Sequence, residues 1–424
     1  MSEIAWEITS LSELGTFSRG KSKHRPRNDV KLFEGGKYPL VQTGDVKAAN
    51  LYITKNDSYY NDFGLKQSKL WPAGTLCITI AANIAETAIL SYPMCFPDSI
   101  VGFNANPEKS SELFVYYFFE YIKKEIQKSA SGSIQDNINI DYLSKMRIKV
   151  PEKKYQDKIV ELLSSIDKKI LLNNQINQEL EAIAKTLYDY WFVQFDFPDQ
   201  NGKPYKSSGG KMIYHPELKR EIPEGWGVET LRDFESKIIT GKTPSRANSD
   251  NFGGEIPFIT IGDIRGNTFI YSTSESLTDL GASVQQNKYL PEGSLCVSCI
   301  ATVGEIGFTT EWSHTNQQIN SIVFEDDTNR YYLYFALKNY FENANASAKT
   351  GNTFANMNKE DFSGIRIILP SKKIKNNFHE IIEPYFAQIK CLQGQNQELT
   401  QLRDWLLPML MNGQVYKRIE GKND

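Results

Sequence analysis

Leu290-Pro-Glu-Gly-Ser-Leu-Cys296 repeats, in residue type, the stretch Trp71-Pro-Ala-Gly-Thr-Leu-Cys77 that lies 219 positions upstream. The same displacement carries Asn177-Gln-Glu-Leu180 onto Asn396-Gln-Glu-Leu399. Tyr38-Pro-Leu-Val-Gln-Thr-Gly-Asp45 falls on Ile256-Pro-Phe-Ile-Thr-Ile-Gly-Asp263 at 218, and Trp6-Glu-Ile-Thr-Ser-Leu11 on Trp226-Gly-Val-Glu-Thr-Leu231 at 220. So steady an offset means two copies of one domain. The period is far too long for a solenoid, whose repeats run to roughly 20–50 residues.

Working outward from these stretches, each copy divides into a β-rich globular part and a helical tail. Tyr38–Val41, Leu76–Ile80, Ile256–Ile261, Leu295–Ile300 and Arg366–Leu369 are short β-branched or aromatic runs broken by Gly, Pro and Asn, the pattern of strands. Ser111–Lys128 and Asn329–Phe341 have helical apolar spacing. After Pro151 the spacing changes character. Ile159, Ile166, Asn173, Leu180 and Leu187 occupy one heptad position, and Leu163, Ile170, Asn177, Ala184 and Trp191 the other. That is a coiled-coil seam on a helix expected from Gln156 to Trp191. Its repeat runs through Phe378, Ile382, Tyr385, Ile389, Leu392, Asn396, Leu399, Arg403, Leu406 and Leu410. Asn173, Asn177 and Asn396 read as polar register-setting positions, since a buried Asn trades stability for a fixed alignment. The competing reading is exposed Asn on a looser helix. Arg403 and Pro384 weaken the second seam, and Pro384 predicts a kink.

The fold class expected is therefore α+β. Two pseudo-twofold-related mixed α/β domains would be joined by an antiparallel coiled coil of two long helices. The expected boundaries are residues 1–151 and 226–370 for the globular domains, 152–196 and 371–420 for the helices, and 197–225 for a linker. Tyr205, Met212 and Tyr214 suggest that this linker packs down.

The 424 residues carry 40% hydrophobic and 23% charged side chains, ordinary for a soluble globular chain. No apolar run approaches the ~20 residues of a membrane span. Met-Ser-Glu-Ile-Ala-Trp-Glu lacks the apolar segment of a signal sequence, so none is expected, and five cysteines without framework spacing fit a reducing cytoplasm. Two similar domains suit a repetitive target, with duplex DNA the leading candidate. The net charge of −3 counts mildly against a free-standing DNA binder, because phosphate contacts dominate affinity. However, Arg19, Lys21, Lys23, Arg25 and Arg27 alternate, so an extended chain would turn all five to one side. A solvated basic loop is the bland alternative.

Catalytic motifs fail in context. Gly15-Thr-Phe-Ser-Arg-Gly-Lys-Ser22 matches the phosphate-loop pattern, but Pro26 and a polar run follow where a helix must open. The shared Gly-Lys-Ser/Thr, including Lys242, is expected to form a phosphate-touching turn. Cys296-Val-Ser-Cys299 is a single pair without a second ligand pair, so no metal is expected. Asp141, Glu152 and Lys154 straddle a domain junction and form no nuclease set. The amino-methyltransferase Asp/Asn-Pro-Pro-aromatic motif is missing. What remain are repeat-equivalent polar side chains in loops. They are Gln42, Thr43 and Asp45 against Thr260 and Asp263; Gln135, Asn137 and Asn139 against Asn356 and Asn358; and Asn316, Gln317, Gln318 and Asn320. Asn and Gln pair with adenine in the major groove, and Arg or Lys with guanine. Turn-forming or capping roles compete with that reading. Lys47, Arg246 and Arg265 complete the DNA-contact candidates.

Leu172-Asn-Asn-Gln-Ile-Asn-Gln-Glu-Leu-Glu-Ala-Ile-Ala-Lys-Thr-Leu-Tyr-Asp-Tyr-Trp-Phe-Val-Gln-Phe-Asp-Phe-Pro198 resembles the central conserved region of Type I restriction–modification specificity (S) subunits. Gly202-Lys-Pro-Tyr205, Ser208-Gly-Gly-Lys-Met212 and Glu221-Ile-Pro-Glu-Gly-Trp226 do so too, and the duplicated layout extends the likeness over the chain. The resemblance implies two target-recognition domains, each reading one half of a split DNA site. The loops of the two copies diverge too far to read the same bases, so an asymmetric site is expected. Antiparallel helices would act as a ruler and dock two adenine methyltransferase (M) subunits, with restriction/translocase (R) subunits completing the complex. It also implies no active site and no cofactor in this chain, with S-adenosylmethionine, ATP and Mg on the partners. The alternatives are a free-standing DNA-modifying enzyme, which would need a cofactor site, and a coiled-coil scaffold whose globular ends bind proteins.

Overall fold

A computed structural model of the chain describes residues 5–81, 83–132, 140–348 and 356–414. It divides into two compact units, Met1–Lys169 with Leu399–Asp424, and Ile170–Glu398. The division cuts through both long helices rather than at their junctions with the globular parts, because each globular part packs on the helical segments beside it.

Within the first unit a five-stranded sheet runs in the order Gly15–Arg19, Ile100–Ala105, Leu76–Thr79, Thr87–Leu90, Tyr52–Ile53. The second unit repeats it as Ile238–Thr240, Ile319–Ile322, Leu295–Ser298, Ile306–Thr309, Phe269–Ile270. In both, every junction is antiparallel except the last, which is parallel. Leu76–Thr79 and Leu295–Ser298 are buried along their whole length, which is why they read as continuous apolar runs rather than alternating ones. A smaller sheet lies alongside. It comprises Ser58–Tyr60, Tyr38–Leu40, Met94–Cys95 and Leu70–Trp71 in the first unit, and Glu275–Leu277, Phe252–Ile259 and His314–Thr315 in the second. An isolated bridge from Leu290 to Ser313 stands where the fourth strand would be. Helices Glu112–Gly132 and Arg330–Ala348 bury their aromatic faces in the two main cores.

Each globular part is closed by its own ends. Trp6–Ser10 pairs antiparallel with Arg147–Pro151, and Gly227–Thr230 with Arg366–Leu369, so the strand feeding each long helix is also part of a sheet. The central helix, Lys153–Tyr188, has 36 residues and continues as a π-turn at Asp189–Val193. At 1.5 Å per residue it is ~54 Å long. The distal helix is Lys372–Met411.

The two helices pair antiparallel wherever a single unit contains both. In the second unit Asn173 bonds Asn396 at 2.9 Å, while Tyr188 and Trp191 pack on Phe378. In the first, Ile159 and Leu163 share a core with Leu407 and Leu410, and Asp167 meets Arg403 at 2.9 Å. The distal helix continues through Pro384, where the burial of Phe378, Ile382, Phe386 and Ile389 offsets the ~3 kcal/mol or more that an internal proline costs. The expected seam drifts, so that Phe386 and Leu407 are buried where Tyr385 and Leu406 were expected. Residues 197–225 carry a hairpin, Met212–His215 with Arg220–Pro223, and Phe197 stacks on both Tyr205 and Trp226. Tyr214, expected to pack, is exposed.

Candidate DNA interface

The two globular parts share one built feature just after the strands Gly15–Arg19 and Ile238–Thr240 of their five-stranded sheets. A Cβ at Gly20 would fall 2.2 Å from the Pro97 carbonyl oxygen, and one at Gly241 would fall 2.2 Å from that of Asn316. Only glycine lets the backbones cross there. The following amides are then pinned alike, Lys21 N–H on Phe96 O at 3.2 Å and Lys242 N–H on Thr315 O at 3.0 Å. The side chains of Lys21 and Lys242 stay exposed, with no partner among the described residues. No helix opens after either turn; the nearest one downstream of Gly20 is the three-residue Val30–Leu32. The likeness to a phosphate loop is therefore one of letters only.

The alternating basic residues do not form one extended strip. Only Arg19 is in the strand, and three of the five converge on Asp98. Arg19 Nε donates to its carbonyl at 2.6 Å, and Arg27 and Arg25 meet its carboxylate at 2.6 and 3.7 Å. Lys21 and Lys23 are left unpaired among the described residues. Lys23 N–H donates to Gln67 O at 3.1 Å, which brings Lys66 and Lys69 beside them, with Lys69 lying 3.6 Å over the Trp71 ring. Lys66-Gln-Ser-Lys69 was not anticipated as part of an interface. Its counterpart 219 residues on is Gln285-Gln-Asn-Lys288, with the Gln286 and Asn287 amides exposed. No motif marks either segment, and only the repeat offset could have pointed to them.

Many of the other candidates have local work. Gln42 is the N-cap of Thr43–Ala48, and Asp45 accepts its amide at 2.7 Å. Asp263 accepts the Thr260 amide at 2.8 Å and hydroxyl at 2.7 Å with one oxygen, and the Ser274 amide with the other. Asn358 caps Lys359–Ser363. Lys47 and Arg265 are repeat-equivalent, and both clasp the hairpin tip next to them. Lys47 reaches Asn83, and Arg265 reaches Thr302 and Glu305. Arg246 is held bidentate by Glu275 at 2.8 Å. Gln317 accepts the Thr243 hydroxyl at 2.6 Å, Gln318 bonds Asn316, and Asn320 takes the Thr240 hydroxyl. Asn356 is exposed beside a bridge to Ile300. Gln135, Asn137 and Asn139 lie outside the described residues. Among the candidates the structure thus brings Arg19, Arg25 and Arg27 together on Asp98 and leaves Lys21 and Lys23 unpaired among the described residues in one unit, and in the other it sets Lys242 next to the Thr243–Gln317 bond.

Burial raises the Cys296 thiol to about 12 and the Cys299 thiol to about 11, the opposite of what a metal-ligand thiolate needs. Among the described residues no group of three His, Cys, Asp or Glu can hold a metal, and no helix is long and apolar enough to cross a membrane.

The family model for the Type I restriction modification DNA specificity domain matches residues 3–182 and again 223–401. The chain is 35% identical to the specificity subunit of the Type I restriction enzyme HindI of Haemophilus influenzae, over 92% of this chain and 97% of that one. It is 26% identical to the MjaIX specificity subunit of Methanocaldococcus jannaschii, over 97% and 93%. Its fold matches the S subunit of a Type I restriction–modification system from M. genitalium, with a TM-score of 0.55 at 15% identity over 97% of each chain. Two matched copies of the specificity domain, on a chain aligned nearly end to end with its relatives, lead to one conclusion: this protein belongs to the non-catalytic specificity subunits of Type I restriction–modification systems.

Proposed function

We propose that the chain reads an asymmetric, bipartite duplex DNA site, one half per globular domain, and presents that site to two adenine methyltransferase subunits, with restriction/translocase subunits able to join. One observation carries this reading: the Gly-Lys turn is built identically in both units, whereas its surroundings diverge. In the first unit the Lys66-Gln-Ser-Lys69 segment is bonded to Lys23 just after the turn, and 219 residues on Lys66 becomes Gln285 and Gln67-Ser68 becomes Gln286-Asn287, while Lys69 is kept as Lys288. Shared lysines suit phosphates, which lack sequence information, while divergent neighbours suit different bases. Two unlike readers make an asymmetric target. S-adenosylmethionine, ATP and Mg belong on the partners in this reading.

Partner docking has its own surface. Along the central helix Leu172, Ile176, Ile183 and Tyr190 remain 50, 37, 50 and 37% exposed, a second apolar stripe outside the seam. With a net charge of −3, the chain also gains from partners that supply positive potential to the DNA.

The test is the methylome of cells expressing the chain with its methyltransferase partner. A split motif with two different halves is expected, and a continuous or perfectly palindromic motif would sink the reading. A gel shift with and without the partner separates it from a protein scaffold, for which no sequence-dependent DNA complex would form.

A further inference from the structure

Phe269–Ile270 is the last strand of the second unit's main sheet and, among the described residues, has a strand neighbour on one side only. An open edge normally invites another strand. Here the edge is met by both long helices. Thr268 donates its hydroxyl to the Glu181 carboxylate on the central helix. Phe269 N–H donates to Gln393 Oε1 on the distal helix at 2.8 Å. Tyr271 donates its hydroxyl to the Lys390 carbonyl at 2.7 Å. Gly394 makes room for this last contact, since a Cβ there would lie 3.1 Å from the Tyr271 hydroxyl oxygen. Three contacts on two helices resist rotation about any one of them.

We propose that this three-point clasp fixes the orientation of the second recognition domain on the helix pair, so that Tyr271, Gln393 and Glu181 are positioning residues for DNA recognition. The proposal rests on the reading above in which the helix pair sets the spacing of the half-sites. Stability comes from elsewhere: Phe269, Phe308 and Phe386 form the apolar contact beneath the clasp. The polar contacts supply direction. They touch neither the Gly241-Lys242 turn nor Gln286 and Asn287, so their loss leaves base identity alone. A domain free to swivel on the helices accepts half-sites at more than one separation.

The experiment expresses the full chain with its methyltransferase partner, as wild type and as Tyr271→Phe with Gln393→Ala, and sequences the methylated sites. The expected result is unchanged half-site bases, with sites one base pair longer or shorter in spacer modified at least about tenfold more often than by wild type. Gly394→Ala guards against a variant that fails to fold. It favours the helix while crowding Tyr271, so it should hold or raise the melting temperature and still broaden the spacer. Variants that keep one spacer, or that change the half-site bases, overturn the clasp alone. A wild-type complex that modifies a continuous site overturns the underlying reading as well.

Discussion

At the scale of single residues, burial decides what a polar side chain can do. His314 is fully buried against Tyr289, 4.3 Å between ring centroids, and neither ring nitrogen has a hydrogen-bond partner among the described residues. Burial pushes its pKa down from 6.5 to about 4. The folded imidazole therefore stays neutral while the unfolded chain takes up a proton near pH 6.5. Between those values the unfolded state binds more protons, so stability falls as pH drops through 6.5 and levels off below 4. Denaturant unfolding at pH 7.5 and pH 5 should show wild type losing about 2 kcal/mol more than His314→Phe. Equal losses in the two proteins would refute the assignment. The same scale explains why Asp45 and Asp263 resemble base readers in the sequence. Each sits three residues after its N-cap, a capping signature as legible as the DNA-contact one. Choosing between them requires knowing which amides lie near.

At the scale of elements, the long helices were legible because heptad spacing is a local property. Ile159, Leu163, Ile166, Asn173 and Asn177 are all buried as the spacing demands. Arg403 looked like a defect in the distal seam. It is instead an ion pair with Asp167, whose other oxygen accepts the Tyr117 hydroxyl at 2.6 Å. Removing one partner of a largely buried pair leaves the other charge uncompensated. Asp167→Asn should cost about 2–4 kcal/mol in urea unfolding, and Asp167→Leu with Arg403→Leu should recover most of it. A neutral single variant would show the pair to be solvent-screened. No sequence rule joins residues 167 and 403, because the contact exists only once the two helices lie antiparallel.

At the scale of the whole molecule, the prediction concerns the ruler. On the proposed reading, seven helical residues inserted after Asn174 and seven after Asn396 keep the heptad phase. They lengthen the stem by ~10 Å, which is about three base pairs at ~3.4 Å each. The methylated motif should gain that spacer with its half-site bases unaltered. Altered bases with an unchanged spacer would count against a ruler.

What the chain determines on its own is whatever can be read along one dimension. The repeat offset gives two domains of one fold, heptad phase gives two long helices, and both survive without knowledge of any distant contact. The tertiary structure alone decides which polar side chains remain available for a partner. Arg27 is neutralised by Asp98, Arg246 by Glu275 and Arg403 by Asp167, while Lys21 and Lys242 stay free among the described residues. The physical reason is that an ion pair or hydrogen bond forms at about 3 Å, between residues whose separation along the chain runs from tens to hundreds of positions. Such a distance is a product of folding, and periodicity carries no record of it.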